Sequence, residues 1–267
     1  MKKLGLFFVA ATALFIACDN TENENDLGSN GSNTQGQTQL VSSIHGYFPN
    51  GYDEEDFLIE FSYDNQNRLI QFTNTQKDNT GHKETFTLTY SENSVTLSSN
   101  INPENPLVLQ LNEKGYVVHS EYRLGGDATD YTYNEQNQLI SVRDSYDTEE
   151  YVWQNGNIVE RRTNSIYGDK DTTWYTYDQQ LVNKTNIDIW EQRWIPKSFI
   201  PQLFGIENKN LILTERNSYD TAYKDDCIWD YDINADGYIV KLSALEPDEN
   251  GIDDNPYTIE ITYTPVQ

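Results

Sequence analysis

The stretch Phe57–Thr73, FLIEFSYDNQNRLIQFT, limits what this chain can fold into. Phe57, Ile59, Phe61 and Tyr63 alternate with other residues, which places them on one face of a strand. Asp64-Asn65-Gln66-Asn67 follows, with short side chains that bond nearby backbone and tolerate left-handed conformations. A second apolar run starts at Leu69. The unit reads as a β-hairpin.

The unit returns along the chain. Hairpin centres run YDNQNRLI (63–70), YSENSVTL (90–97), LNEKGYVV (111–118) and YNEQNQLI (133–140). They continue as WQNGNIVE (153–160), YDQQLVNK (177–184), IENKNLIL (206–213) and YDINADGYIV (231–240), in steps of 27, 21, 22, 20, 24, 29 and 25 residues. A repeat at such a period outranks any single motif in reading a fold. It predicts an all-β chain, an antiparallel meander of about eight repeated hairpins forming a soluble, closed or strongly curved barrel-like sheet. The turns 64–67, 91–94, 112–115, 134–138, 154–157, 178–180, 207–210 and 232–237 are each expected to join antiparallel neighbours. Tyr63, Tyr90, Tyr133, Tyr177 and Tyr231 are expected to pack on their own returning strands, near Leu69, Val95, Leu139, Val182 and Tyr238. Closure removes exposed edges, but so wide a barrel cannot be filled by one layer of side chains. It must flatten into a sandwich or keep a cavity.

The Tyr-Asp-x-x-x-x-Leu-Ile pattern resembles a degenerate YD (Rhs-type) repeat, without the usual Gly before Arg68. Over residues 40–265 the chain more closely resembles a Bacteroides-type family of lipoproteins of unknown function, described as having a porin-like fold. The resemblance includes LFGIENKNLI (203–212), which interrupts the repeat in a similar place. It implies architecture and envelope location, and it brings no catalytic residues.

Residues 1–17 read as a lipoprotein signal peptide: Lys2 and Lys3, then an apolar stretch too short to span a bilayer comfortably. It ends FIAC, which resembles a lipobox, so Cys18 is the expected lipidated residue and first mature one. Residues 18–39 are the lipidated Cys and a polar, acidic tether in which Leu27 is the sole aliphatic residue, too polar to offset chain entropy by burial. Asp19, Glu22, Glu24 and Asp26 resemble an export signal to the outer cell surface, or form a plain solvated linker. Residues 40–267 make one β-hairpin-repeat domain. Within it, 187–213 departs from the pattern, with Pro196, Pro201 and an apolar cluster. A loop with at most a turn or two of helix is expected there, plugging one end of a barrel.

The net charge is −25, and −27 once Lys2 and Lys3 leave with the leader. Such a chain has no electrostatic footprint for nucleic acid or anionic lipid. Strands read as about 5–8 residues, and their outward positions include Glu60, Gln71, Thr87, Arg161 and Lys184, unsuited to lipid.

Candidate sites are few. Asp232-x-Asn234-x-Asp236-Gly237 matches the first half of a calcium loop, a weak calcium candidate. Position 12 is Ser243 in place of a bidentate Glu, and the same place in other repeats is a turn. Asp248–Asp254 is a second acidic loop, read as a hairpin tip. His45, His82 and His119 lack metal-ligand spacing, and Cys227 among acidic neighbours is not an activated nucleophile. Trp153, Trp174, Tyr175, Tyr177, Trp190, Trp194 and Trp229 are either strand-end packing or a glycan-stacking surface. The resulting expectation is a non-enzymatic, lipid-anchored lipoprotein of the outer membrane, exposed at the cell surface. It is a monomer with no cofactor and a glycan or peptide ligand, joined to the membrane through Cys18. The alternative is an envelope hydrolase using an acidic pair in a barrel-mouth pocket.

Overall fold

The structure, a computed structural model, describes residues 38–48, 55–77, 81–189, 196–218, 227–245, 247–248, 251–252 and 257–267. The leader, Cys18 and the tether as far as residue 37 fall outside them; Thr38 and Gln39 are described, and Gln39 already belongs to a strand. The strands are β1 (Gln39–Phe48), β2 (Glu55–Tyr63), β3 (Leu69–Gln76), β4 (Lys83–Tyr90), β5 (Ser94–Ser99) and β6 (Leu107–Leu111). They continue through β7 (Val117–Tyr122), β8 (Thr129–Tyr133), β9 (Leu139–Arg143), β10 (Asp147–Gln154), β11 (Asn157–Ser165) and β12 (Lys170–Val182). After α1 (Pro196–Phe199) and a 3-10 turn (Pro201–Phe204) come β13 (Asn210–Asn217), β14 (Cys227–Ile233) and β15 (Ile239–Leu245). A two-residue pair, β16 (Pro247–Asp248) and β17 (Gly251–Ile252), precedes β18 (Tyr257–Pro265). β1–β15 and β18 form one closed, antiparallel barrel of sixteen strands, sealed where β1 pairs with both β2 and β18.

Alternation sorts the wall. Ile44, Ile59, Leu88, Leu97, Leu109, Leu242 and Ile259 point inward and are buried. Outside run rows such as Glu60–Thr73–Thr85, Asp130–Arg143–Thr148 and Glu150–Arg162–Thr172. Eleven of the sixteen barrel strands have five to eight residues, as expected, and the other five are longer, up to thirteen residues in β12.

The two ends of the barrel differ. One, the turn end, carries short hairpin connections and both chain ends of the barrel. Four of its turns are copies. Asp64, Asn112, Asn134 and Asn234 each accept two backbone N–H bonds on the side-chain oxygen. Three residues later Asn67, Gly115, Asn137 and Gly237 take positive φ. The loop end carries connections from three residues (144–146) to eleven (246–256).

A belt of aromatic donors circles the turn end. Between consecutive hairpins the strand ladders stop short there: β3–β4 pairing begins at Gln71↔Thr87 and β7–β8 at His119↔Asp130. The carbonyls left over accept a hydrogen bond from the next repeat. Tyr63 Oη donates to Val41 O, Tyr90 to Leu69 O, Tyr133 to Val117 O, and Trp153 Nε1 to Leu139 O (2.7–2.9 Å). Tyr177 donates to Ile158 O, Tyr231 to Ile212 O and Tyr263 to Ile239 O (2.5–2.7 Å). Among the described residues, only the β5–β6 seam lacks a rung. There the ladder runs through Val95↔Leu109 and Ser94↔Gln110, no carbonyl needs a donor, and Leu111 stands where the others place an aromatic ring.

These contacts refine the expected tyrosine packing. Tyr63, Tyr90 and Tyr133 do pair across their own hairpins with Leu69, Val95 and Leu139. Tyr177 pairs with Ile212 in place of Val182, and Tyr231 with Leu242 in place of Tyr238. Turns 178–180 and 207–210 are not two hairpins. Asp178 Oδ1 caps Gln180 N, but β12 continues to Val182, which pairs with Asn210. The two apparent repeats are the two sides of one hairpin with a long insertion between them.

Candidate functional site

The insertion, 183–209, corks the turn end. Its described residues reach much of the wall. Asn186 Oδ1 accepts Val41 N at 2.8 Å while its Nδ2 donates to Tyr63 Oη at 2.9 Å. Phe199 lies with its ring centroid 4.4 Å from that of Phe72 and 5.6 Å from that of Phe61, and Phe204 lies 5.0 Å from Tyr131. Ile206 N donates to Asn137 O and Lys209 N to Gly156 O, both at 3.0 Å. Lys184 Nζ reaches Asp236 O at 2.6 Å and sits 5.4 Å from the Tyr238 ring centroid. Gly205, at φ 101, approaches so closely that a Cβ would stand 2.6 Å from Asn137 O. Ile187, Ile189, Ile200 and Leu203 complete the cork's buried apolar face. The plug expected from Pro196, Pro201 and the apolar cluster is thus in place, and among its described residues helix is confined to two short turns.

Beyond the cork the lumen is polar along β10–β13. Cross-strand pairing sets Tyr151, Arg161 and Thr173 in one inward row and Tyr175, Glu215 and Cys227 in the next. Arg161 Nη2 donates to Thr173 Oγ1 at 3.5 Å, and its buried Nε has no partner among the described residues. Burial alone would lower this guanidinium; Tyr175, Glu149, Tyr151 and Glu215 around it outweigh that and raise its pKa. Glu149 accepts the Tyr151 hydroxyl. In the cork, burial first and then Asp188 push the Glu207 carboxyl up to about 8. Asp188 N itself donates to Ser198 O at 2.7 Å. Trp229 Nε1, Asn74 Oδ1 and Gln202 Oε1 are further buried atoms without a partner among the described residues.

A cavity lies in the wall at the turn end, between the Asn155-Gly156 turn and β12. It measures about 280 Å3. Its floor is Val159, Tyr175 and Tyr177, and its rim carries the exposed carboxamides of Gln154, Asn155 and Gln179. Here β11–β12 pairing ends at Glu160↔Trp174 and both flanking strands bulge, at Val152/Trp153 and Thr176/Tyr177. Behind it, Asn157 and Asn210 exchange hydrogen bonds of 3.1 and 2.9 Å, and Asn208 Oδ1 accepts Ile158 N at 2.7 Å.

The residues singled out in the sequence fall as follows. Asp232 is in β14 opposite Lys241, Asn234 Oδ1 is engaged by two backbone N–H groups, and Asp236 Oδ2 lies 3.5 Å from Gln39 Nε2. Among the described residues, no group of three or more His, Cys, Asp or Glu is arranged to hold a metal ion. Cys227 is half-buried at the start of β14; of the second acidic loop, only Asp248, Gly251 and Ile252 are described. His45 and His119 sit on the outer wall, each 2.7 Å from an Asp, Asp56 and Asp130 respectively. The aromatic candidates do not form a row. Trp153 and Tyr177 belong to the belt, Tyr175 and Trp229 face inward, and Trp174 lies outside under Arg216 at 4.9 Å. Trp190 and Trp194 lie outside the described residues. Arg161, expected on the outer face, is turned inward by its register with Tyr151 and Thr173, and Lys184, also expected there, lies in the cork. Sequence reasoning missed Glu207 and the carboxamide rim, whose members converge only through register and the cork.

Residues 61–241 match the model of the family described as a domain of unknown function (DUF4595) with porin-like fold. The barrel is similar to a porin-like protein from Bacteroides uniformis, with TM-score 0.68 and 15% identity over 85% of this chain and 99% of that one. It is also similar to a porin-like protein from Bacteroides vulgatus, with TM-score 0.56 and 13% identity over the same shares. At that identity the likeness is one of fold. No curated protein matches the chain. The family match spans well over half of the sequence, so the chain belongs to the DUF4595 family of porin-like fold.

Proposed function

We propose that the protein is a non-conducting barrel of the cell envelope, held by a lipid on Cys18 and an acidic tether, that stands in water and binds a ligand at the outer surface. The inverted wall carries this reading: hydroxyl and charged side chains outside, an apolar layer and a cork inside. A charged row such as Glu150–Arg162 facing hydrocarbon would cost several kcal/mol per residue at mid-membrane. The tether joins the barrel at the turn end, where Thr38 N donates to Tyr238 Oη at 2.8 Å. An anchor on Cys18 holds the turn end nearest the membrane and turns the loop end away from it.

The test has two arms. Cys18→Ala should release the protein from membranes or block its processing; retention with normal processing overturns the anchor. Purified full-length protein added to a planar bilayer should give no conductance steps, and regular steps overturn the non-conducting barrel. A second reading, a hydrolase, is favoured by one observation: Glu207 holds its proton to about pH 8 beside Asp188. It predicts release of nitrophenol from aryl glycosides that disappears in Glu207→Gln. No release, or release unchanged in the variant, removes it.

A further inference from the structure

We propose that the wall cavity between the Asn155-Gly156 turn and β12 is a binding site for one neutral pyranose unit of a glycan. The inference rests on the reading of the wall as water-facing, and it names the ligand class. Three features point the same way. None of the eight lining residues is charged, in a chain of net charge −25, so the site suits an uncharged ligand. The carboxamides of Gln154, Asn155 and Gln179 make no hydrogen bond within the described protein, and each presents donors and an acceptor to solvent. Vicinal hydroxyls, each both donor and acceptor, are the complement of such groups.

The floor supplies the other half. Tyr175, Tyr177 and Val159 line it there, two aromatic residues and an aliphatic one beneath the carboxamides, suited to the C–H face of a sugar ring. Tyr177 is fixed by its bond to Ile158 O (2.5 Å), and Tyr175 is backed by the Arg161 patch in the lumen. The floor is therefore rigid before any ligand arrives, which lowers the ordering cost of binding. At about 280 Å3 the cavity falls just below the roughly 300–1,000 Å3 of drug-sized sites, which fits one ring and not a chain.

Saturation-transfer NMR on the full-length protein in a detergent without sugar groups tests this. The probes are glucose, galactose, mannose, N-acetylglucosamine and, as the charged counterpart, glucuronate. At least one neutral sugar should receive saturation on its ring C–H protons, and glucuronate at least fivefold less. Gln154→Leu and Gln179→Leu, made separately at exposed positions, should each reduce the transfer at least fivefold while the melting temperature stays within a degree. Transfer to none of the neutral sugars, equal transfer to glucuronate, or transfer that survives both substitutions overturns the site. These outcomes leave the anchor and conductance arms unaffected, so failure here is distinguishable from failure of the envelope reading.

Discussion

The two ends of the same sixteen strands obey different rules. At the turn end, four like Asx turns close hairpins, and a belt of seven aromatic donors and a cork hold the seams between hairpins, β5–β6 excepted. At the loop end, Ile101, Tyr122, Leu124, Tyr146, Ile166 and Tyr167 stand exposed, Tyr167 by 75%. Tyrosines occur at both ends, yet at one they close hydrogen-bond ladders and at the other they touch water. The contrast teaches that the repeat encodes one rim, and that the rest of each unit is free to vary in length.

The largest effect that could break this comparison is truncation of a belt ring. Tyr133→Ala should cost about 3–5 kcal/mol in chemical denaturation, from the lost ring and the orphaned Val117 carbonyl. A loss below 1 kcal/mol would mean that the belt does not hold the seams. Next comes the cork. Glu207 has a folded pKa of about 8 against 4.5 for a free side chain, so its proton is bound more tightly in the folded state. The stability this linkage supplies is complete below about pH 4.5 and is lost as pH rises through 8. Glu207→Gln, which mimics the protonated carboxyl, should therefore be the more stable protein at pH 8, by about 4 kcal/mol, and nearly equal to wild type at pH 4.5. A difference that does not grow between those values would refute the assignment.

Removing only the hydroxyl sharpens the comparison further. Tyr133→Phe keeps the ring and leaves Val117 O unpaired, for an expected loss of about 1–3 kcal/mol. Tyr167→Ala at the loop end should shift stability by less than about 0.5 kcal/mol. Denaturation midpoints of the two variants, measured side by side, rank the rims directly. Equal values would erase the distinction.

Much of the turn end was legible. Asp64, Asn112, Asn134 and Asn234 announce their turns because Asx chemistry is local, a matter of five consecutive residues. For the same reason YDQQLV misleads: Asp178 forms its local cap, but pairing of Val182 with Asn210 keeps the strand going. Tertiary pairing overrides a local turn signal there. The belt was half visible. Tyrosines at strand ends could be read, but their hydroxyls reach back some twenty residues into the previous repeat, as from Tyr90 to Leu69. Leu111, the exception, was the available clue, since a through-running ladder needs no donor. The carboxamide cavity had no signature at all, because Gln154 and Gln179 meet only through two bulges and an extended β12.

Closure of the barrel has a consequence for how the protein is made. β1 pairs with β18, so Gln39 must find Pro265, and Ile44 must find Ile261. The first strand to emerge from the ribosome, and from any export channel, waits for the last. Until residues 257–265 arrive, β2 covers one side of β1 and the other side, like the free side of β15, is an unpaired edge. Contacts so distant along the chain form slowly. A chain interrupted anywhere before Tyr257 is thus an open sheet with two adhesive margins, and a holdase that shields them until synthesis ends would act on nearly every molecule.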